Sequence, residues 1–270
     1  MKKILITGGN GYIAKRIFSH LKNEYEFILL NRSNSNLLDK NQTIQQLKNI
    51  QPDIIIHTAI EGGNRNSEDD VSIVYKNLLM FENLMHYRDN VKFIFNIASG
   101  AEFDRSKQIS LAKEDDIFLQ TPSDYYGFSK NLISRRIRQI NQNIVNFRIF
   151  GIFDENENDT RFIKNNIHRF KNGLSPEIHA DKYMDFFYMG DFISVLSFYL
   201  SSDGRLPNDI NLSYENKYKL SDIIKIIYGD QILLGNLESS FDYTGNSEKL
   251  KLLNLNLIGM QNAIQEILTK

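Results

Sequence analysis

Apolar residues come in short runs separated by longer amphipathic stretches along most of the chain. Lys3–Thr7 predicts a first strand, residues 12–23 a helix, Glu26–Leu30 a second strand and residues 43–50 a short helix. After Pro52, the run Asp53-Ile-Ile-Ile-His-Thr-Ala59 is almost continuously apolar, as in strands buried on both faces of a parallel sheet. Residues 69–87 have helical spacing, with Val74, Leu78, Phe81 and Met85 on one stripe. Residues 91–98 predict a strand, 124–142 a helix and 144–149 a strand. Strand and helix therefore alternate, which implies an α/β fold: a Rossmann-like, doubly wound parallel sheet with helices on both faces. After Phe153 the pattern changes. An acidic loop over 154–159 leads to helices over 160–171, 191–200 and 220–228, a strand at 210–212, and one or two helices within 248–268. Residues 175–182 read as loop or short strand. These pieces are too short for a second large sheet. Residues 1–153 are expected to form the sheet domain and 154–270 a smaller mixed α/β cap, with some segments returning to the main domain.

Composition narrows the function. A chain of 270 residues, 41% hydrophobic and 24% charged, can bury a full core and is neither disordered nor a disulfide miniprotein. Lys plus Arg number 32 against 33 Asp plus Glu, so no charge excess calls for nucleic acid or an anionic membrane. With no Cys, thiolate metal sites, iron–sulfur clusters and cysteine nucleophiles are excluded. The His residues lack the His-Glu-x-x-His spacing, so no metal site is expected. Met1-Lys2-Lys3 is followed only by Ile4-Leu5-Ile6 before a glycine turn, too short for a signal core, and no run approaches 18 apolar residues. A soluble, cytoplasmic protein is expected.

The turn Thr7-Gly8-Gly9-Asn10-Gly11-Tyr12-Ile13-Ala14 lies between the first strand and first helix. Gly9-x-Gly11-x-x-Ala14 matches the dinucleotide fingerprint, in which small residues permit the tight turn, close approach of the pyrophosphate and close helix–sheet packing. An ordinary strand–helix turn is the plainer reading, but the position favours a nucleotide. At the end of the second strand, an acid would bind an adenosine ribose 2′-OH. The chain instead has Asn31-Arg32-Ser33. Arg32 is suited to a 2′-phosphate, which points to NADP rather than NAD, although a plain surface arginine is the simpler alternative.

Tyr126-Gly-Phe-Ser-Lys130 places Tyr and Lys one helical turn apart on one face. That spacing arises about once by chance in a chain of this composition. Its position is more informative, because it opens the helix after the strand that ends next to Ser99, at the edge where open α/β sheets bind ligands. A free Tyr titrates too high for proton transfer at neutral pH, and an adjacent Lys ammonium favours the phenolate. Singly, Ser99 is a turn residue and Lys130 a surface charge; with the glycine turn they read as a catalytic set. His57 reads as a satisfied core residue, and Arg135, Arg136 and Arg138 as a solvated helix face.

In the order Thr7-Gly-Gly-x-Gly, 53–59, Asn77, Ser99, Tyr126 and Lys130, with Arg148-Ile-Phe and Asp185-Phe-Phe-Tyr-Met-Gly-Asp191 beyond, the chain resembles the extended short-chain dehydrogenase/reductases over nearly its whole length. Asn31-Arg-Ser through Asn36-Leu-Leu-Asp39 is most similar to the GDP-fucose synthase branch and to bacterial 4-keto-6-deoxysugar reductases. The resemblance implies Ser99, Tyr126 and Lys130 as catalytic residues. It implies Gly8, Gly11, Tyr12 and Ile13 at the pyrophosphate, Arg32 at the 2′-phosphate, and Leu38 or Asp39 near adenine. Thr58 and Ala59 would line the nicotinamide side, with Asn77 in the cofactor site and Lys130 also holding the nicotinamide ribose. Ser99, Gly100, Arg161 and Lys164 would meet a nucleotide-diphosphate sugar, and helices 69–87 and 124–142 would form a homodimer face. Three positions depart from the family: Gly151 replaces an Asn and Met184 an Arg of the sugar-diphosphate site, and Phe103-Asp104 replaces a Tyr-Gly.

The resemblance thus implies an NADPH-dependent reductase of a 4-keto nucleotide sugar in surface-polysaccharide synthesis. An epimerase with retained NAD and a non-catalytic cofactor sensor are the alternatives. Dehydratases carry Asp-Glu directly after the catalytic Ser or Thr. Here Glu102 comes one place late, and alternation along an extended segment would turn it away. A built-in 3,5-epimerase needs a Cys, which is missing, and a His where Lys171 falls. Simple reduction at one carbonyl is the expected chemistry.

Overall fold

The computed structural model describes residues 1–63, 69–140, 143–202 and 206–270. The last two positions of the helix expected over 124–142 lie outside the described residues. In chain order the elements up to the middle are β1 (Lys3–Thr7), α1 (Tyr12–Leu21), β2 (Glu26–Leu30), α2 (Lys40–Ile50), β3 (Ile54–His57), α3 (Ser72–Met85), β4 (Phe93–Ser99), β5 (Ile109–Ala112), α4 (Tyr125–Ile140) and β6 (Ile144–Ile149). There follow β7 (Ile152–Phe153), α5 (Phe162–Lys171), β8 (Ala180–Asp181), β9 (Phe187–Tyr188), α6 (Met189–Ser201), β10 (Asp209–Leu212) and α7 (Leu220–Tyr228). The last elements are β11 (Glu238–Ser239), β12 (Tyr243–Gly245), α8 (Glu248–Lys251) and α9 (Met260–Thr269). They fall into two compact units: residues 1–105, 114–148 and 207–210, and residues 106–113, 149–206 and 211–270.

The first unit is built on a six-stranded sheet of order β10-β6-β4-β3-β1-β2. β1 pairs in parallel with β2 and β3, and β3 with β4. Ile4, Leu5 and Ile6 of β1 and Ile54, Ile55 and Ile56 of β3 are all fully buried, which accounts for the unbroken apolar runs. On one face, Leu5, Ile55 and Ile94 pack with Phe81 and Leu84 of α3 and Ile133 and Ile137 of α4. Each such buried side chain contributes roughly 1.5–3 kcal/mol relative to exposure. Helix α2 begins three residues earlier than the apolar spacing predicted, because Asp39 caps it by accepting the Gln42 N–H at 2.9 Å. The order reverses direction between β1 and β3, so a crevice opens beyond their C-terminal ends.

The second unit gathers α5, α7 and α9 around Phe153, Ile163, Ile167, Ile223, Ile227, Met260, Ile264 and Ile267. Its strands pair two by two, β5 with β12, β7 with β9 and β8 with β11. At two to four residues each, they are too short to show as a pattern in the sequence. Among the described residues, no helix is long and apolar enough to cross a membrane.

Candidate active site

The glycine turn closes tightly at the end of β1. Gly8 has φ +67°, and a Cβ there would lie 2.8 Å from the Ala59 nitrogen, so only glycine fits. Gly9 N–H donates to Leu30 O at 2.7 Å and Gly11 N–H to Gly8 O at 2.8 Å. Ala14 is fully buried, which lets α1 lie close on the sheet. Helix α1 starts after Gly11 with no side chain capping it and no acid in its first turn. Such a helix end presents backbone donors and a favourable dipole to an anion, and fits the pyrophosphate of a dinucleotide.

From this turn runs a cleft of about 580 Å³, lined among others by Gly8, Gly11, Arg32, Leu38, Thr58 and Ala59. Tyr12 and Ile13 open α1 beside it and are half-buried. Asp39 is not among the lining residues; its carboxylate caps α2. The floor is pinned by Thr7, whose hydroxyl meets His57 Nδ1 at 2.8 Å and accepts Ala59 N–H at 3.3 Å, while Thr58 Oγ1 donates to Thr7 O at 2.7 Å. His57 is thus a satisfied core residue. Burial, then the Lys130 charge, push its pKa down to about 3, so it is neutral. Asn77 is buried, and its amide is occupied by protein. It accepts Glu61 N–H at 2.8 Å and donates to Glu61 O and to Ser129 Oγ, both at 3.0 Å.

The catalytic candidates share this unit. Ser99 ends β4 and caps a short 3-10 turn, Gly100–Phe103, its Oγ accepting Ala101 N–H at 3.2 Å. That turn lies directly on α4. A Cβ on Gly127 would fall 2.5 Å from Ala101 O, and Asn131 Nδ2 donates to Glu102 O at 2.9 Å. Tyr126 and Lys130 therefore project from the helix on which the Ser99 turn rests. Tyr126 is half-buried, with the Arg105 guanidinium 5.7 Å from its ring centroid and Gly63 packed against the ring. Lys130 is buried, and its ammonium donates to Ile97 O at 2.6 Å. Burial lowers its pKa from 10.5 to about 8, opposed by the Glu102 charge.

Glu102 corrects the expectation of an extended segment. The chain after Ser99 coils into the 3-10 turn, so the Glu102 carboxylate folds back rather than alternating outward. It accepts Ser99 N–H at 3.0 Å and Arg148 Nε at 2.8 Å, and both charges are fully buried. Arg148 Nη1 reaches Asp209 at 3.0 Å, and its guanidinium lies 5.2 Å from the Phe103 ring centroid. Burial opposes the Arg148 charge, but Asp209 and Glu102 together override it and hold it protonated. Burial pushes the Glu102 carboxyl up, with Arg148 pulling the other way. Sequence reasoning missed this network, although an arginine inside the apolar strand 144–149 demands buried carboxylate partners. The arginines of α4 also differ from a solvated face: Arg135 donates to Ile117 O and Gln120 O, Arg136 pairs with Glu82 at 2.8 Å, and Arg138 pairs with Asp115.

In the second unit, Arg161 stands immediately before α5, and Lys164 binds Asp159 at 2.8 Å and Glu157 O at 2.7 Å. Gly151 owes its lack of a side chain to packing, since a Cβ would sit 2.8 Å from Asp185 O. Asp185 is held by Lys217 at 2.8 Å and Ser213 at 2.7 Å.

A dinucleotide cleft at the switch point of a parallel sheet, beside a helix carrying Tyr-x-x-x-Lys, defines an NAD(P)-dependent enzyme of the short-chain dehydrogenase/reductase type. Residues 4–213 match the NAD dependent epimerase/dehydratase family, and the chain belongs to it. GDP-L-colitose synthase of Yersinia pseudotuberculosis is 26% identical over 249 residues, covering 83% of this chain and 80% of that protein. Among solved structures, Bordetella bronchiseptica WbmG in complex with NAD and UDP matches with a TM-score of 0.80 at 17% identity, covering 98% of this chain and 92% of that one. MlghC, a GDP-mannoheptose C4 reductase from Campylobacter jejuni with NADP bound, matches with a TM-score of 0.79 at 17% identity, covering 98% and 96%.

Proposed function

We propose that this protein is an NADPH-dependent reductase of a 4-keto nucleotide sugar, in particular a 4-keto-6-deoxy sugar made for a surface polysaccharide. The observation that carries the reading is the pairing of an intact Ser99–Tyr126–Lys130 set with a Glu102 carboxylate withdrawn into the core. Hydride and proton transfer at one carbonyl keep their groups, while dehydration loses its acid. The set is also intact where a cofactor sensor would have no use for it.

A reduced nicotinamide, when bound, supplies the hydride to the carbonyl carbon. Tyr126 delivers its phenolic proton to the carbonyl oxygen, converting C=O to CH–OH. The Lys130 ammonium on the same helix face stabilises the phenolate left behind. Because Ser99 Oγ already accepts a bond from Ala101 N–H, its own hydrogen is left to donate to the carbonyl oxygen. Gly8, Gly11, Tyr12 and Ile13 hold the pyrophosphate, Thr58 and Ala59 the nicotinamide side, and Leu38 the adenine. Arg32 is the cation offered to a 2′-phosphate. Arg161 and Lys164 meet the sugar nucleotide, Lys164 by exchanging Asp159 for phosphate. A homodimer through α3 and α4, in the cytoplasm, completes the reading, and the mass in solution tests the former.

The test is an NADPH-oxidation screen over 4-keto-6-deoxy sugars carried on GDP, CDP, UDP and dTDP. Oxidation with one of them, stoichiometric with substrate, is expected. Sugar isomerisation with cofactor retained and not consumed would replace the reductase by an epimerase.

A further inference from the structure

The acid missing from the end of β2 reaches the cleft from another strand. Glu61 lies four residues beyond the end of β3, lines the same cleft as Arg32, and its Oε1 is 2.7 Å from Arg32 Nη2. The two side chains differ in how they are held. Arg32 is 80% exposed and extends from the polar turn after β2, whereas Glu61 is 29% exposed. The Glu61 backbone is clamped on both sides, N–H and C=O, by the buried amide of Asn77. The carboxylate thus belongs to the cleft wall, and the guanidinium is the more exposed partner.

We infer that Glu61 is a specificity-determining residue for the cofactor, an inference that rests on the nicotinamide-dependent reading above. A 2′-phosphate must take Arg32 away from Glu61 and then sit near a fixed negative charge. An unphosphorylated ribose faces a carboxylate that accepts from its hydroxyls, with Arg32 left in place. The Arg32–Glu61 pair therefore narrows the preference for NADPH that Arg32 alone would give, and NADH is a usable second cofactor. The sequence rule that reads NADP from a missing acid at the end of β2 overlooks an acid brought in from β3.

The experiment is a fluorescence titration of NADPH and NADH on the full-length protein, without sugar substrate. Wild-type protein is expected to bind both within about a factor of ten. Glu61→Gln keeps the shape, removes the charge and frees Arg32. Removing a like charge from the phosphate and a competitor from the arginine should shift the NADPH/NADH affinity ratio about five- to fiftyfold toward NADPH. In the background of Arg32→Gln, the same Glu61 change should have a smaller effect, because there is no longer a guanidinium to compete for. An unchanged ratio in Glu61→Gln, with both dinucleotides still bound, would overturn the assignment of Glu61 alone. Failure of wild-type protein to bind either dinucleotide would overturn the cofactor reading and this inference with it.

Discussion

Lys130 should make the protein less stable than it could be, by an amount that depends on pH. Its ammonium is buried beside β4, and burial drops its pKa from 10.5 to about 8. Below pH 8 the folded chain keeps that charge in the core at a cost of about 3 kcal/mol, since each pH unit of difference is worth about 1.4 kcal/mol. Between pH 8 and 10.5 the unfolded chain binds more protons than the folded one, so stability rises with pH through this window. From pH 7 to 9.5 the gain from this group is about 2 kcal/mol. Lys130→Met keeps the stem and removes the charge. Urea unfolding of cofactor-free protein should show the variant more stable than wild type at pH 7 by about 1–3 kcal/mol, the lost bond to Ile97 O offsetting part of the relief. The difference should shrink by about 2 kcal/mol at pH 9.5, because only wild type gains there. Groups that do not sense Lys130 are common to both proteins and cancel, and His57, lowered mainly by burial, stays neutral across this range in both. Parallel stability–pH curves for wild type and Lys130→Met would refute the argument and leave Lys130 as an ordinary structural residue.

Tyr126→Phe keeps the ring packed against Gly63 and removes the proton, so reductase turnover should fall about 10²–10⁴-fold while dinucleotide affinity stays within twofold. Turnover equal to wild type would remove Tyr126 from the chemistry. Glu102→Gln breaks a fully buried ion pair and should cost about 3–5 kcal/mol in urea unfolding, and Arg148→Met should cost at least as much, because it also strands the buried Asp209 carboxylate. If Glu102→Gln unfolded at the wild-type urea midpoint, the pair would not be a structural one. Reduction carried out in heavy water should place no deuterium at positions 3 or 5 of the product sugar beyond the enzyme-free background. Enrichment there by mass spectrometry would show that the chain also epimerises.

The sheet was legible because burial on both faces leaves unbroken apolar stretches such as Ile4-Leu5-Ile6 and Ile54-Ile55-Ile56, and because Gly8, Gly11 and Ala14 are needed for geometric reasons that show as residue types. The placement of Tyr126 and Lys130 on one helix was legible for the same reason, as residue types one helical turn apart. The partners of those residues were not. Glu102 looked misplaced because the chain after Ser99 was read as extended, and a 3-10 turn rotates each residue by about 120° rather than 180°. Glu61 and Arg32 are 29 residues apart and meet only because β3 and β2 flank β1. The strands of the second unit were the least legible, since at two to four residues they carry no periodicity, whereas α5 and α7 fall where the helical spacing put them.

The segment after β3 links the cleft to the helix that carries Tyr126. Glu61 presents its carboxylate to Arg32, while two residues on, Gly63 at φ +76° leaves no room for a side chain, since a Cβ would stand 2.7 Å from the Tyr126 ring. Between these ends Asn77 bonds both backbone groups of Glu61 and then Ser129 Oγ, which in turn donates to Tyr126 O at 2.8 Å. Asn77 therefore acts as a spacer between the Arg32–Glu61 end of the cleft and the helix that carries Tyr126 and Lys130. An aspartate there would face two acceptors, Glu61 O and Ser129 Oγ, with no amide hydrogens to give them. On the inference above, cofactor preference would be open to change at the tip of Glu61, which lines the cleft. The backbone that carries it would not be, because the same clamp reaches the helix that carries Tyr126.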